Sequence, residues 1–245
     1  MAGTVRYLRG ECYRLLRKKS LYAYYAALAA CYALVTYVRS GGFGPGSVVG
    51  EAINMSNFLP VLAGGVMFAA IYADDLGARN LTVLVGFGLG RLRIALSKLI
   101  IMAASVAVMY ALVPVVHVAM FRLLGWPASP GDWAMIYAAM AKHAASTMAF
   151  AALSAVLAFG TQRATFAIVA YTLLAFGIVG GMAAAGLNAF APGLSDHLMS
   201  GISDRVMVGL LGDGPLATPL AEYAAYVAAA FAASVAAFHR KEMEP

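Results

Sequence analysis

The chain has 245 residues, 62% hydrophobic and only 11% charged, with a mean hydropathy of +0.80 and a formal net charge of +6. A soluble domain carries about 25% charged residues, so this composition excludes an ordinary water-facing globule. It predicts a single all-α, membrane-embedded domain over residues 1–245.

Residues 1–20 come first. Val5, Leu8, Cys12 and Leu15 recur at helical spacing, with Arg6, Arg9, Glu11, Arg14, Arg17 and Lys18 among them. The pattern predicts an amphipathic helix lying on a membrane face; a disordered basic tail is the alternative. The charged region is too long for a cleaved signal peptide. Cys12 and Cys31 fall at different depths, so both are expected to be unpaired.

Six apolar runs then approach the ~20 residues that cross a hydrocarbon core: 21–38, 56–73, 99–121, 144–160, 165–185 and 221–238. Pro60, Gly64 and Gly65 loosen the second. Lys142 and His143 place residues 131–143 at the interface rather than in the fourth span, because charge at mid-bilayer costs a few kcal/mol. Residues 40–55 read as a flexible Gly-rich loop. Within the outer interfacial loop, 187–219, Leu194, Leu198, Ile202, Val206 and Leu210 repeat every four residues. They predict a short amphipathic helix capped by Ser195. Gly177 and Gly181 in the fifth span have the small-residue spacing that lets helices approach closely, within the bundle or between two copies.

Orientation follows from the bases. Arg6, Arg9, Arg14, Arg17, Lys18, Lys19, Arg79, Arg91, Arg93, Lys98, Arg163, Arg240 and Lys241 fall on one side of the six runs. Arg39, Arg122, Lys142 and Arg205 fall on the other. The bias predicts both termini in the cytoplasm. The basic N-terminus suits an anionic inner leaflet better than a nucleic acid.

Chemical motifs are missing. No Gly-x4-Gly-Lys-Ser/Thr loop, HExxH, CxxC or GxSxG pattern occurs, so no catalytic residue, metal site or cofactor site is predicted. "GFGLG" at 86–90 lacks the strand and acidic partner of a dinucleotide fingerprint and reads as a turn. Asp196 and His197, being adjacent, form no acid/base pair. His117 lies in the third span near Pro114. It is either a functional group or a partner for a neighbouring helix or for a carbonyl freed by the proline.

One segment is out of character for an inert bundle. Between the second and third runs, residues 74–97 hold Asp74 and Asp75, a short apolar stretch with Leu81 and Leu84, then Gly86, Gly88 and Gly90 ahead of Arg91. The stretch "DDLGARNLTVLVGFGLGRLRIALSKLI" resembles the cytoplasmic segment of ABC-2 type transporter permeases, especially the small six-span ones of bacteriocin and lantibiotic export or self-immunity. The residues that carry the resemblance are Asp75, Arg79, Leu81, Gly86, Gly88, Arg91, Ser97, Lys98 and Leu99. Gly90 stands where the family usually has Ser, and only Gly77 answers the family's Gly-Thr before the short helix. "LRGECYRLLRKKSLY" resembles the family's amphipathic N-terminal helix with its embedded Glu, and "FHRKEME" its closing segment.

The resemblance implies a polytopic permease with six transmembrane helices and a cytoplasmic coupling segment at 74–97. It implies a plasma-membrane location, pairing with a second copy or a related chain, and a separate ABC ATPase that alone would hold ATP and Mg. Coupling to that ATPase would run through Asp74, Asp75, Gly77, Arg79, Leu81, Leu84, Gly86, Gly88 and Arg91. The N-terminal helix would pack beside them through Arg6, Arg9, Glu11, Arg14 and Arg17. The substrate would be hydrophobic or amphipathic. Two other readings share these features. One is a membrane enzyme acting on lipid or peptide, with only Thr36, His117, Ser146, Thr147, Ser154 and Thr172 as polar groups in the spans. The other is a non-transporting immunity or assembly factor.

Overall fold

A computed structural model describes residues 2–44, 46–77, 80–191 and 193–240, and these residues are helical with short connections. Helix α1 (Ala2–Leu16) turns at Arg17 and Lys18 into α2 (Lys19–Arg39). Helix α3 (Ser47–Ala73) leads to two short helices, α4 (Asp74–Gly77) and α5 (Asn80–Gly86). Two long helices follow, α6 (Arg91–Leu123) and α7 (Pro130–Thr161). Then come α8 (Ala164–Ala175), α9 (Ile178–Phe190), α10 (Met199–Leu210) and α11 (Ala217–Arg240).

Five helices, α2, α3, α6, α7 and α11, are long and apolar enough to cross a membrane, and α8 with α9 makes a sixth if the bent pair is one span. The chain is thus a multi-pass membrane protein by helix length and composition. The pair bends by 59° at Gly177, whose φ of +74° belongs to the left-handed region that favours glycine. The continuous fifth span expected over 165–185 is therefore broken.

Helix α7 is the centre of the bundle, with α3, α6, α8, α10 and α11 all packed on it. It starts sharply because Ser129 and Asp132 form a reciprocal capping box and Pro130 fills the first turn. The helix runs through Lys142 and His143 without a break, so residues 131–143 are continuous with the fourth apolar run. Lys142 is tolerated because α10 brings Asp204 to 2.5 Å. Helix α3 likewise begins at Ser47, inside the stretch expected to be a flexible loop, with Val48, Val49 and Ala52 buried. Ser195 caps nothing in α10. A short 3-10 turn, Leu194–His197, precedes Leu198, and α10 buries Met199, Ile202, Ser203 and Val206.

Helix α2 sits at the margin, with only Leu21 and Thr36 buried. It is attached through tyrosines. Helix α3 widens to π-helical geometry at Pro60–Gly64 and again at Ala69–Ala73, and widening frees carbonyls. Tyr24 donates to the Leu62 carbonyl, Tyr25 to Ala63 and Tyr171 to Pro60, at 2.9, 2.9 and 2.8 Å. The Tyr171 bond is the buried one, and satisfying that carbonyl removes a penalty of about 1–3 kcal/mol. Gly64 is required there: a Cβ would collide with the Tyr171 hydroxyl and the Thr147 methyl.

Candidate coupling site

The site lies where α1, α4, α5 and the first turns of α6 meet. Lys98 is two turns into α6 and 1% exposed. Its ammonium donates to the Glu11 carboxylate of α1 at 2.7 Å and to the Asp75 carboxylate of α4. Arg14, one turn after Glu11, donates to the same Glu11 oxygen at 2.8 Å and lies 3.7 Å from Asp75. Two acids and two bases from three elements thus close into one cluster. Asp75 and Glu11 are themselves buried. Burying an isolated charge is expensive, and these groups are tolerated only because each meets the opposite sign. Tyr7 packs beside them. Burial, and secondarily the carboxylates of Glu11 and Asp75, hold its phenol neutral well above its ordinary range.

The cluster changes how the α1 stripe is read. Val5 is 65% exposed and Cys12 is exposed, whereas Glu11 and Leu15 are buried and Leu8 and Arg14 partly so. The helix faces the bundle with a mixed ionic and apolar side, and Arg6, Arg9 and Arg17 are exposed. Arg17 lies over the Tyr13 ring at 4.5 Å.

The short helix α5 ends in a Schellman turn. Leu89 N–H donates to Leu84 O at 3.1 Å, and Gly88 N–H to Val85 O at 2.9 Å. Gly88, with φ +82°, occupies the left-handed position such a turn needs. Gly86 is exposed before it, and Gly90, in extended conformation, is the N-cap of α6. The glycines of "GFGLG" therefore shape a defined cap. The side chains expected to contact a partner divide sharply. Leu81 is buried in the chain's own core and Leu84 packs against that core. Val83, apolar enough by sequence to pack on the membrane face or a protein, is 52% exposed, and Phe87, which the sequence analysis does not single out, is 83% exposed. The signal for Phe87 was available, since it is apolar and lies within the glycine turn.

Arg91 turns inward. It donates to the carbonyls of Phe238 and His239 at 2.8 and 2.7 Å and lies over the Phe238 ring, tying the start of α6 to the end of α11. Arg79 lies outside the described residues, and of Asp74 and Gly77 the backbone alone is described, in α4.

No family model matches the chain, and no curated protein is significantly similar to it.

The remaining sequence candidates do not join this site. Gly177 and Gly181 have open space where a side chain would be, so neither packs within the chain. His117 bridges helices, with Nε2 2.8 Å from the Val48 carbonyl and Nδ1 against the Tyr32 hydroxyl. It meets neighbouring helices, and these contacts do not involve Pro114. Cys12 and Cys31 are both free thiols. Ser146 pairs with Ser203, Thr147 with Tyr110, and Thr172 with its own helix. Among the described residues, no three His, Cys, Asp or Glu side chains are grouped to hold a metal ion.

Proposed function

We propose that this chain is the membrane-spanning permease subunit of an ABC exporter. A separate ATPase, holding ATP and Mg, drives it from the cytoplasm, and a second copy or a related chain completes the pore. The substrate class that suits the apolar interior is a hydrophobic or amphipathic peptide, antibiotic or lipid-like molecule. The observation that best supports this reading is the Glu11–Lys98–Asp75–Arg14 cluster. A device that converts movement at the membrane face into movement of a span needs the two mechanically joined. Here α1 and α4 are fastened to the first turns of α6 by charge pairs in a buried site, where they are screened little by salt. Val83 and Phe87, exposed at the same end, are the apolar side chains free to dock on a motor subunit; Leu81 and Leu84 hold the segment to the bundle.

The bias of Lys and Arg toward the α1 end supports an orientation with both termini cytoplasmic, and the family resemblance supports the plasma membrane as its location. The test is co-purification. The chain, purified from the cell that makes it, should bring down an ABC ATPase subunit, and the isolated chain should hydrolyse no ATP. A Val83→Ser, Phe87→Ser variant should insert normally and lose the ATPase. Hydrolysis by a preparation free of any ATPase chain, or full ATPase retention by the variant, defeats the proposal.

A further inference from the structure

A groove of about 620 Å³ runs between α2 on one side and α3 and α6 on the other. On α6 its wall extends from Ile101 to Val116, a rise of about 22 Å at 1.5 Å per residue. That exceeds one leaflet's share of a ~30 Å hydrocarbon core. The lining is almost wholly apolar, and of its four hydroxyls, those of Tyr22, Tyr25, Tyr32 and Ser105, two are engaged. Tyr25 donates to Ala63 O, and Tyr32 meets His117. The groove therefore offers little to a peptide backbone or a sugar, and it suits a flexible hydrocarbon chain.

Its mouth is different. Leu16 and Leu21 line the groove on either side of the α1–α2 elbow, and the residues joining them include Arg17 and Lys19, both exposed. A hydrocarbon slot with two exposed cations on the elbow that joins its lining residues is complementary to an amphiphile with an apolar tail and an anionic head. Basic sites between spans at a membrane face recognise anionic phospholipid headgroups.

We propose that this groove is a binding site for one anionic phospholipid of the leaflet beside α1, with an acyl chain between α2 and α6 and its phosphate at Arg17 and Lys19. The site is independent of the export reading, because neither an ATPase nor a transported substrate enters the argument. The lipid fills the space behind the loosely packed α2 and holds the elbow that positions Glu11 and Arg14.

The test uses the full chain in nanodiscs of equimolar phosphatidylglycerol and phosphatidylcholine. Each lipid in turn carries a photoreactive diazirine on its acyl chain, and crosslinked residues are read by peptide mass spectrometry. Phosphatidylglycerol should crosslink to Leu28, Ala104 and Val108 in preference to phosphatidylcholine. An Arg17→Gln, Lys19→Gln variant should lose about fivefold of that preference for each charge removed. An Ala29→Trp, Ala104→Trp variant, which fills the groove, should lose the crosslink altogether. Equal yields from the two headgroups in the unaltered chain, or crosslinks spread over the outer faces of α2 and α6, overturn the proposal without recourse to any variant. So does a groove found occupied by a second copy of the chain, seen as protein–protein crosslinks at the same residues.

Discussion

Lys98 is the residue on which the candidate site turns. Replacing it with Met removes the shared partner of two buried carboxylates, and breaking a buried pair from one side costs about 3–5 kcal/mol. A Lys98→Met variant in detergent should lose stability on that order in thermal unfolding. Adding Glu11→Gln and Asp75→Asn to it should recover part of the loss, because no buried carboxylate is then charged and the one charge left, on Arg14, is partly exposed. A triple variant no more stable than the single one would show that the cluster is held by packing. A second residue-scale expectation concerns the π-helical turn of α3. Tyr171→Phe leaves the Pro60 carbonyl buried without its donor, which costs about 1–3 kcal/mol, whereas Thr172→Val removes only a bond within its own helix turn and should be milder. Little of this was legible in the sequence. Glu11 and Lys98 are 87 positions apart, and each reads locally as one more charge near a membrane face. The resemblance brought both residues into view, but the pairing needed the fold.

At the scale of elements, the apolar runs were readable because a span must satisfy its backbone internally and face lipid with apolar side chains. Their ends were less so. Helices α3, α6 and α7 all extend beyond the apolar runs, since helical geometry continues wherever caps and neighbours allow, as Asp204 does for Lys142 in α7. The loosening expected from Pro60, Gly64 and Gly65 is there, but its form depends on tyrosines donated by two other helices, which no local pattern reveals. The fifth span misled for a similar reason. Gly177 and Gly181 share a spacing with packing motifs, yet Gly177 serves a left-handed turn. Gly177→Ala should therefore cost about 1–2 kcal/mol of backbone strain, and Gly181→Ala, in open helix, should be neutral or slightly stabilising. Matched thermal melts of the two variants check this. Equal effects would mean that the shared contribution is a packing contact with a second copy.

For the whole molecule, the parity of crossings decides everything that faces each side. By helix length alone the chain has five crossings or six, depending on whether the bent pair α8–α9 traverses the membrane. We propose six. Arg91 at the start of α6 grips the carbonyls of Phe238 and His239 at the end of α11, and Lys98 on the same helix grips α1 and α4. The N-terminal helix, the segment after α3 and the end of α11 are therefore all at one end of the bundle. With α2, α3, α6, α7 and α11 each crossing once, only a crossing by α8–α9 returns the chain to that end. Reporter enzymes fused after Arg163 and at the C-terminus should both read cytoplasmic, and one inserted near Asp213 should read external. A re-entrant α8–α9 would instead place Asp213 on the cytoplasmic side and the C-terminus outside. That result would require the Arg91 bonds to be broken, and with them the six-crossing arrangement on which the coupling proposal stands.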